Sequence, residues 1–229
     1  MLLPTAFRLA SKVRGARAVH PRGIVMRATW RPVGGSILSG SPLLAGPKPA
    51  LLRLSHSIGL PPSIPEVVGF AVKVLDVYGA GQDQDLVLIS SCRSYLGRRL
   101  IVPGHDLATT VMSSVLPYDV EGMGRRLVLA RAREGSASAN YAEVIRHGPD
   151  RMPVFEVRLS RPDGPMLATI HAEDMAPTDV GETIRYNPWH TGPELQPRGL
   201  LNRLRRPTYP ASQAGWGAPD EGIRATEAR

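Results

Sequence analysis

The sequence predicts a mainly β protein built on an antiparallel sheet, with a few flanking helices. Six short segments rich in apolar and β-branched residues follow one another between residues 24 and 173. Turn residues separate them, and the chain of 229 residues contains 22 prolines and 23 glycines, as expected for a protein with many loops. An antiparallel sheet of six or more strands closes into a barrel or folds into a sandwich.

The first strand is predicted from the segment IVMRATWR at residues 24–31, in which Ile24, Met26, Ala28 and Trp30 share one parity. The remaining strands are predicted from runs bounded by turn residues, at residues 67–77, 85–91, 126–132, 154–160 and 167–173. The sequence RPDGP at residues 161–165 predicts a hairpin connection between the last two strands.

Two helices are predicted. One covers residues 105–116, HDLATTVMSSVL, with Asp106 near its start. The other is GLLNRLRRPTY at residues 199–209, which Pro207 should break or kink. Residues 32–49 are predicted to form a loop. We expect one domain over residues 1–215 and a flexible tail over residues 216–229.

Positive charge is spread along the whole chain. The net charge is +8, and nearly all of the basic residues are arginines. No helix-turn-helix, zinc-finger or aromatic RNA-binding pattern accompanies them, so nucleic acid is not an expected partner. Most of these arginines are expected to solubilise the surface. The alternative for a few of them is convergence on a buried carboxylate or phosphate, which a guanidinium binds in a bidentate manner.

Cys92 is the single cysteine, which excludes an intramolecular disulfide and a cysteine-based metal site. No stretch approaches the roughly 20 apolar residues of a membrane span. A cytoplasmic protein is therefore expected. An organellar presequence is the alternative for the N-terminal segment, which is rich in arginine and lacks acids.

Arg205 and Tyr209 are the most informative pair of residues. Residues four apart share one face of a helix, and a cation beside a phenol favours the phenolate. Tyrosinate is a known protein ligand of haem iron. The pair therefore suits an iron ligand and its activating cation, although stacking on a helix surface accounts for the same spacing.

Three motifs together resemble one family. YNPWHTGPELQPRGLLNRLRRPTYPASQ at residues 186–213 resembles the C-terminal signature of the catalase-like haem proteins, especially compact barrel-only relatives such as catalase-related peroxidases and allene oxide synthases. RAVHPRG at residues 17–23 resembles the segment that carries the distal histidine of catalases. LLRLSHSIG at residues 51–59 and QDLVLIS at residues 84–90 resemble two further catalase segments in the same order.

The resemblance implies a closed antiparallel β-barrel of the catalase type and a bound haem b, iron protoporphyrin IX. It makes Tyr209 the iron ligand and Arg205 its partner, with His20 as the distal acid and base. It makes Ser55 the hydroxyl that orients the His20 imidazole. The remaining haem-binding residues that it implies are Arg17 and Arg53 for the propionates, and Val19 beside the ring.

This sequence departs from the family pattern at the distal side. Catalases carry two asparagines where this chain has Ile89 and Ser90. Ser90 is retained as a third catalytic candidate because its hydroxyl can donate a hydrogen bond. Arginines of the family are replaced by Val68 and Trp216. These departures favour a peroxidase-type or hydroperoxide-rearranging reaction over rapid disproportionation of peroxide.

The expected substrate is hydrogen peroxide or a small organic hydroperoxide. Two alternatives remain open: a haem enzyme recruited for a specialised biosynthetic oxidation, and a basic binding module that has lost its haem. No NADPH site is expected, and a homo-oligomer is left open. The histidines other than His20 are predicted to be structural, namely His56, His105, His147, His171 and His190.

Overall fold

Eight antiparallel strands close into a barrel. The computed structural model of the protein describes residues 22–33, 38, 40–56, 64–94, 97–135, 140–199 and 202. Each of the eight strands pairs with a neighbour on both sides. The predicted closed barrel is confirmed, since the described strands leave no open edge in this sheet.

The barrel strands, with their bounds, are β1 (Arg22–Pro32), β2 (Lys48–His56), β3 (Val68–Val74), β4 (Gln84–Ser91), β5 (Val111–Ser113), β8 (Val128–Ala132), β9 (Phe155–Leu159) and β10 (Met166–Met175). Around the barrel they follow the order β1-β10-β9-β8-β5-β4-β3-β2, and β2 pairs again with β1. A smaller sheet has the order β11-β6-β7 and consists of β6 (Tyr118–Val120), β7 (Gly124–Arg126) and β11 (Leu195–Pro197). The α-helices are α1 (Tyr141–His147) and α2 (Thr178–Thr183), with short 3-10 turns at Pro42–Leu44, Gly97–Arg99 and Gly148–Arg151.

The core fills the interior of the barrel. Alternate residues of each strand point inward, as Leu52 and Leu54 do on β2, and Phe70 packs on Phe155 with ring centroids 4.8 Å apart. Trp30 is fully buried, and its Nε1 donates to the carbonyl of Leu43 at 2.9 Å. Trp30 therefore packs in the core, on the parity that the sequence predicts for the inward face of this strand.

The two ends of the barrel differ in their connections. At the end where β2 finishes, called here the Ser55 end, the described parts of the connections are residues 64–67, 92–94, 97–110, 133–135 and 140–154. At the opposite end, called the Trp30 end, they are residues 33, 38, 40–47, 75–83, 114–127 and 160–165. The last of these is the predicted hairpin, in which Gly164 N donates to Arg161 O at 2.9 Å.

The helix predicted over residues 105–116 is wrong. Asp106 caps a turn, with Ala108 N donating to its Oδ1 at 2.8 Å, and the chain then enters strand β5. Because β5 joins β4 to β8 and completes the barrel, tertiary pairing outweighs the local helix pattern. The β-branched Thr110 and Val111 at the start of this strand also suit an extended chain.

Helix α1 begins with a capping box. Asn140 Oδ1 accepts from Glu143 N, and Glu143 Oε2 accepts from Asn140 N at 2.7 Å. Of the second predicted helix, only Gly199 and Asn202 fall within the described residues, and Asn202 Nδ2 donates to Pro117 O at 3.0 Å. The predicted tail at residues 216–229 lies outside them. Within the described ranges, no helix has the length and apolar character needed to cross a membrane.

Candidate functional site

Two predicted site residues, Arg53 and Ser55, lie side by side on the outer face of β2. Their side chains alternate with the inward-facing Leu52 and Leu54. Both are nevertheless buried, at 5% and 1% exposure. The outward-facing residues around them on strands β1 to β4 are called here the candidate face and are Gly23, Val25, Gly69, Ala71, Val87 and Ile89.

The guanidinium of Arg53 lies across strand β1. A Cβ built on Gly23 would stand 2.5 Å from Nη2 and 2.7 Å from Cζ of Arg53. The absence of a side chain at Gly23 is therefore what lets the arginine lie against the strand. On the other side Arg53 is flanked by the small Ala71 of β3.

Burial lowers the pKa of Arg53, while the phenol oxygens of Tyr186 and Tyr141 raise it. A desolvated guanidinium is stabilised by nearby negative charge, and a carboxylate or phosphate matches its planar set of donors. The candidate face thus combines small and apolar side chains with one buried cation suited to an anion.

Ser90 does not share this face. The register pairs Ser55 with Gly69 and Gly69 with Ile89, so Ile89 points outward and Ser90 points the other way. Ser90 Oγ accepts from Val68 N at 3.0 Å and donates to Val102 O at 2.6 Å. Its hydroxyl joins two backbone segments, and a part for Ser90 in catalysis stays a prediction.

The other predicted site residues lie outside the described part of the chain: Arg17, Val19, His20, Arg205 and Tyr209. Their roles remain predictions. Strand β1 begins at Arg22, which pairs with His56 at the end of β2. The described chain therefore starts next to Ser55.

A buried carboxylate holds the segment NPWH, residues 187–190, against the barrel. The sequence motifs do not single out this carboxylate. Asp85 is fully buried and binds Lys73 Nζ at 2.8 and 3.0 Å. It also accepts from Asn187 N at 2.7 Å and lies 3.5 Å from Nδ1 of His190. The signal in the sequence was a lysine and an aspartate within two otherwise apolar strands.

Tyr186, which directly precedes this segment, lies next to the candidate face. Its hydroxyl donates to Leu51 O at 3.4 Å, and its ring centroid lies 6.0 Å from Lys73 Nζ. Since the phenol oxygen of Tyr186 also raises the pKa of Arg53, this tyrosine belongs to the surroundings of the buried guanidinium. In the sequence, Tyr186 is visible only as the first residue of the motif at residues 186–213.

A second buried polar cluster lies on the inner side of β2 at the Ser55 end. His56 Nδ1 is 3.3 Å from Glu66 Oε2, and the side chains of both residues are 3% exposed. The His56 ring stacks on Tyr141, with centroids 4.0 Å apart. Two ligands are too few for a metal centre, and no group of three such side chains occurs among the described residues. The burial of His56 is consistent with the prediction that this histidine is structural.

Comparison with solved structures identifies the architecture. A fungal catalase superposes with a TM-score of 0.59 at 12% identity, and the match covers 90% of this chain. A bacterial catalase gives 0.61 at 11% identity over 94% of the chain, and catalase A from Saccharomyces cerevisiae gives 0.57 at 12% over 90%. This chain has a catalase-like fold.

The catalase-like barrel is shorter than these neighbours. It spans 60%, 63% and 61% of the three catalase chains, or about three fifths of their length. No protein-family model and no curated protein matches the sequence. The likeness at this identity concerns the fold of the barrel, within which Arg53 and Ser55 occupy one face.

Proposed function

We propose that this catalase-like barrel binds haem b on the candidate face and acts on an organic hydroperoxide or hydrogen peroxide. The observation that carries the proposal is Arg53, a guanidinium that is only 5% exposed and lies on the outer face of a barrel with the catalase fold. A guanidinium in that place suits a carboxylate in addition to the contacts it makes within the protein, and a haem propionate is a carboxylate.

The described residues fit this group. Haem is a flat apolar ring with two carboxylates, and the candidate face offers Gly69, Ala71, Val87 and Ile89 beside the guanidinium of Arg53. Gly69 and Ala71 leave room for a flat ring. A bidentate pair between Arg53 and a propionate would offset the desolvation of both charges.

Bound haem supplies the iron centre at which the oxygen–oxygen bond of a hydroperoxide is cleaved. Tyr209 would be the protein ligand to that iron. Arg205 precedes it by four residues and would keep the phenol ionised, since a nearby cation favours the charged form. Both roles rest on the motif RLRRPTYPASQ at residues 203–213.

The proton transfer is assigned to His20. Its imidazole would take the proton from one oxygen of the hydroperoxide and deliver it to the other, which leaves as an alcohol or as water. His20 precedes Arg22 by two residues in the sequence, and Arg22 pairs with His56 at the end of β2. Ser55, which pairs with Gly23, would orient the imidazole.

The lining of the candidate face favours an organic substrate. Val87 and Ile89 are half-buried, and their aliphatic side chains offer no hydrogen bond to a small polar peroxide. They suit instead the hydrocarbon part of an organic hydroperoxide, whose burial is favourable. Oxygen release from hydrogen peroxide at the rates of full-length catalases would contradict this preference.

The test is a titration of the protein with haem, followed by absorbance, in the wild type and in Tyr209→Phe. We expect stoichiometric uptake with a high-spin ferric tyrosinate spectrum, which the substitution abolishes. Tyr78→Phe is the matched control, because Tyr78 lies at the Trp30 end, where its hydroxyl donates to Gln84 Oε1 at 2.9 Å. Absence of haem uptake by the wild type would overturn the proposal and favour a basic binding module.

A further inference from the structure

Exposed apolar side chains are concentrated at one end of the barrel. Among the described residues, all of the large apolar side chains that are exposed lie at or next to the Ser55 end, and they are Ile64, Leu100, Ile101, Ile145 and Met175. Four belong to connections at that end. Met175 is the last residue of β10 and approaches Gly148 of a connection there. The described connections at the Trp30 end contribute none.

Leu100 and Ile101 protrude the most, at 63% and 52% exposure. The backbone beneath them is well bonded: Leu100 N donates to Gly97 O at 2.6 Å, Cys92 N donates to Leu100 O at 3.2 Å, and Ile101 pairs with Ser91. Backbone hydrogen bonds thus hold the adjacent aliphatic side chains of Leu100 and Ile101 in a solvent-exposed position. Adjacent large apolar side chains exposed in this way are typical of an interaction surface.

Exposed positive charge is also in excess in the connections at the Ser55 end. In the described connections of the Ser55 end, the exposed charged side chains are those of Arg93, Arg99, Arg133, Arg146 and Arg151 against Glu134 and Asp150. These connections carry an excess of three positive charges; beside Met175 on β10, Glu173 and Asp174 are also exposed, and Asp174 pairs with Arg27. At the Trp30 end the exposed Arg125 and Arg161 are balanced by Glu121 and Asp163.

We propose that the Ser55 end docks onto the surface of a bilayer that contains anionic phospholipids. Leu100 and Ile101 would enter the boundary between headgroups and acyl chains, and Arg93 and Arg99 beside them would bind the anionic headgroups. This combination of protruding aliphatic side chains and arginines is complementary to such a surface in both polarity and charge.

The distribution of the apolar side chains favours a bilayer over a protein partner. They lie on separate connections and on the end of a strand, whereas a stable protein interface needs a contiguous, closely packed patch of about 800 Å² on each partner. A bilayer is fluid and accepts side chains in any arrangement.

Docking in this orientation would bring the membrane to the candidate face, because Ser55 is the penultimate residue of β2 at the docking end. The substrate class that follows is a hydroperoxide of a membrane lipid, which the aliphatic Val87 and Ile89 suit. This assignment of substrate rests on the proposed function, whereas docking itself does not.

The test is sedimentation of the full chain with vesicles of phosphatidylcholine alone or of phosphatidylcholine and phosphatidylserine in a ratio of about 7:3. We expect preferential binding to the anionic vesicles, lost at high salt because ionic screening weakens the attraction. Arg93→Gln/Arg99→Gln should weaken binding about 25-fold, at roughly fivefold per arginine. Leu100→Ser/Ile101→Ser should weaken it on the order of tenfold.

The matched control is Arg125→Gln/Arg161→Gln, which removes two exposed arginines from the Trp30 end and should leave binding unchanged. Equal loss in this control would refute the docking orientation. Failure of the wild type to bind anionic vesicles at low salt would refute docking. So would a shift from dimer to monomer in Leu100→Ser/Ile101→Ser without any effect on vesicle binding, since the patch would then join two copies of the chain.

The amount of sedimented protein is read without haem, so docking and haem binding can fail separately. Vesicle binding without haem uptake would leave a membrane-docking barrel and remove only the substrate. Haem uptake without vesicle binding would refute docking and leave the proposed enzyme. Thermal unfolding of each variant checks that these exposed substitutions preserve the fold.

Discussion

Gly23 lies directly beneath the guanidinium of Arg53. A Cβ on Gly23 would stand 2.5 Å from Nη2 of Arg53 and 2.8 Å from the carbonyl oxygen of Leu54. The arginine can move its end, but the backbone of β2 cannot move without disturbing the pairing of β1 with β2. The position of the buried cation therefore depends on one residue of the neighbouring strand that has no side chain.

Gly23→Ala should displace Arg53 and lower the free energy of unfolding by about 1–3 kcal/mol, the usual cost of overpacking. Haem affinity should fall with it. Gly181→Ala in α2 is the control, because the nearest atoms to its Cβ belong to Val25 at 3.9 Å, an ordinary contact. That substitution should be neutral or stabilise by up to about 1 kcal/mol. Urea unfolding measures both, and equal stability of the two variants would contradict the steric argument.

Ser55 and Ser90 should respond differently to substitution by alanine. Ser90→Ala removes the acceptor of Val68 N and the donor to Val102 O, and should cost about 1–3 kcal/mol of stability. Ser55→Ala should reduce turnover of an organic hydroperoxide by about tenfold at equal haem content, as expected for a residue that orients another. A larger loss of turnover in Ser90→Ala at equal haem content would reverse the assignment.

Substituting one residue of the buried Lys73–Asp85 ion pair should lower the free energy of unfolding strongly, and the effects of the two substitutions should not be additive. Lys73→Met leaves the fully buried Asp85 carboxylate without its cation, which should cost about 3–5 kcal/mol. Lys73→Met/Asp85→Asn should cost less than the two single substitutions together. The exposed pair of Arg27 and Asp174 is the control, and Arg27→Gln should cost at most about 1 kcal/mol. Chemical denaturation gives these values, and additivity of the two single changes would contradict the coupling.

His171 should carry a pKa that depends on two arginines. Burial lowers the pKa of His171, and the cations of Arg31 and Arg133 lower it further, while the carboxylate of Glu173 raises it. Thr169 Oγ1 lies 3.1 Å from its Nε2. Because the folded protein disfavours the imidazolium, the unfolded chain binds more protons just below pH 6.5. The contribution of His171 to stability is therefore lost as the pH falls from 6.5 through the lower pKa that His171 has in the folded protein.

Arg133→Gln should raise the pKa of His171 toward its ordinary value, and an NMR titration of the imidazole measures this. Arg161→Gln is the matched control, because Arg161 lies in the β9–β10 connection at the other end of the barrel and pairs with Asp163. An unchanged titration of His171 in Arg133→Gln would contradict the electrostatic cause.

Six of the eight barrel strands were predictable because the evidence for them is local. Alternation in β1 and short apolar runs bounded by turn residues are visible in the sequence without knowledge of any partner strand. Strand β2 was not predicted as a strand, because Leu51 and Leu52 are both buried, on opposite faces, and the alternation is hidden. Strand β5 was mistaken for a helix, because its three residues become a strand only between β4 and β8.

For the candidate site, the sequence by itself singled out Arg53 and Ser55 through the motif LLRLSHSIG, whereas their common face follows only once β2 is known to be a strand. Only the tertiary structure decided that Ile89, and not Ser90, lies on that face, and that Asp85 holds the NPWH segment. The reason is physical: side-chain alternation belongs to one strand, whereas register joins strands far apart in the chain. A shift of one residue in that pairing would turn every side chain to the opposite face of the barrel.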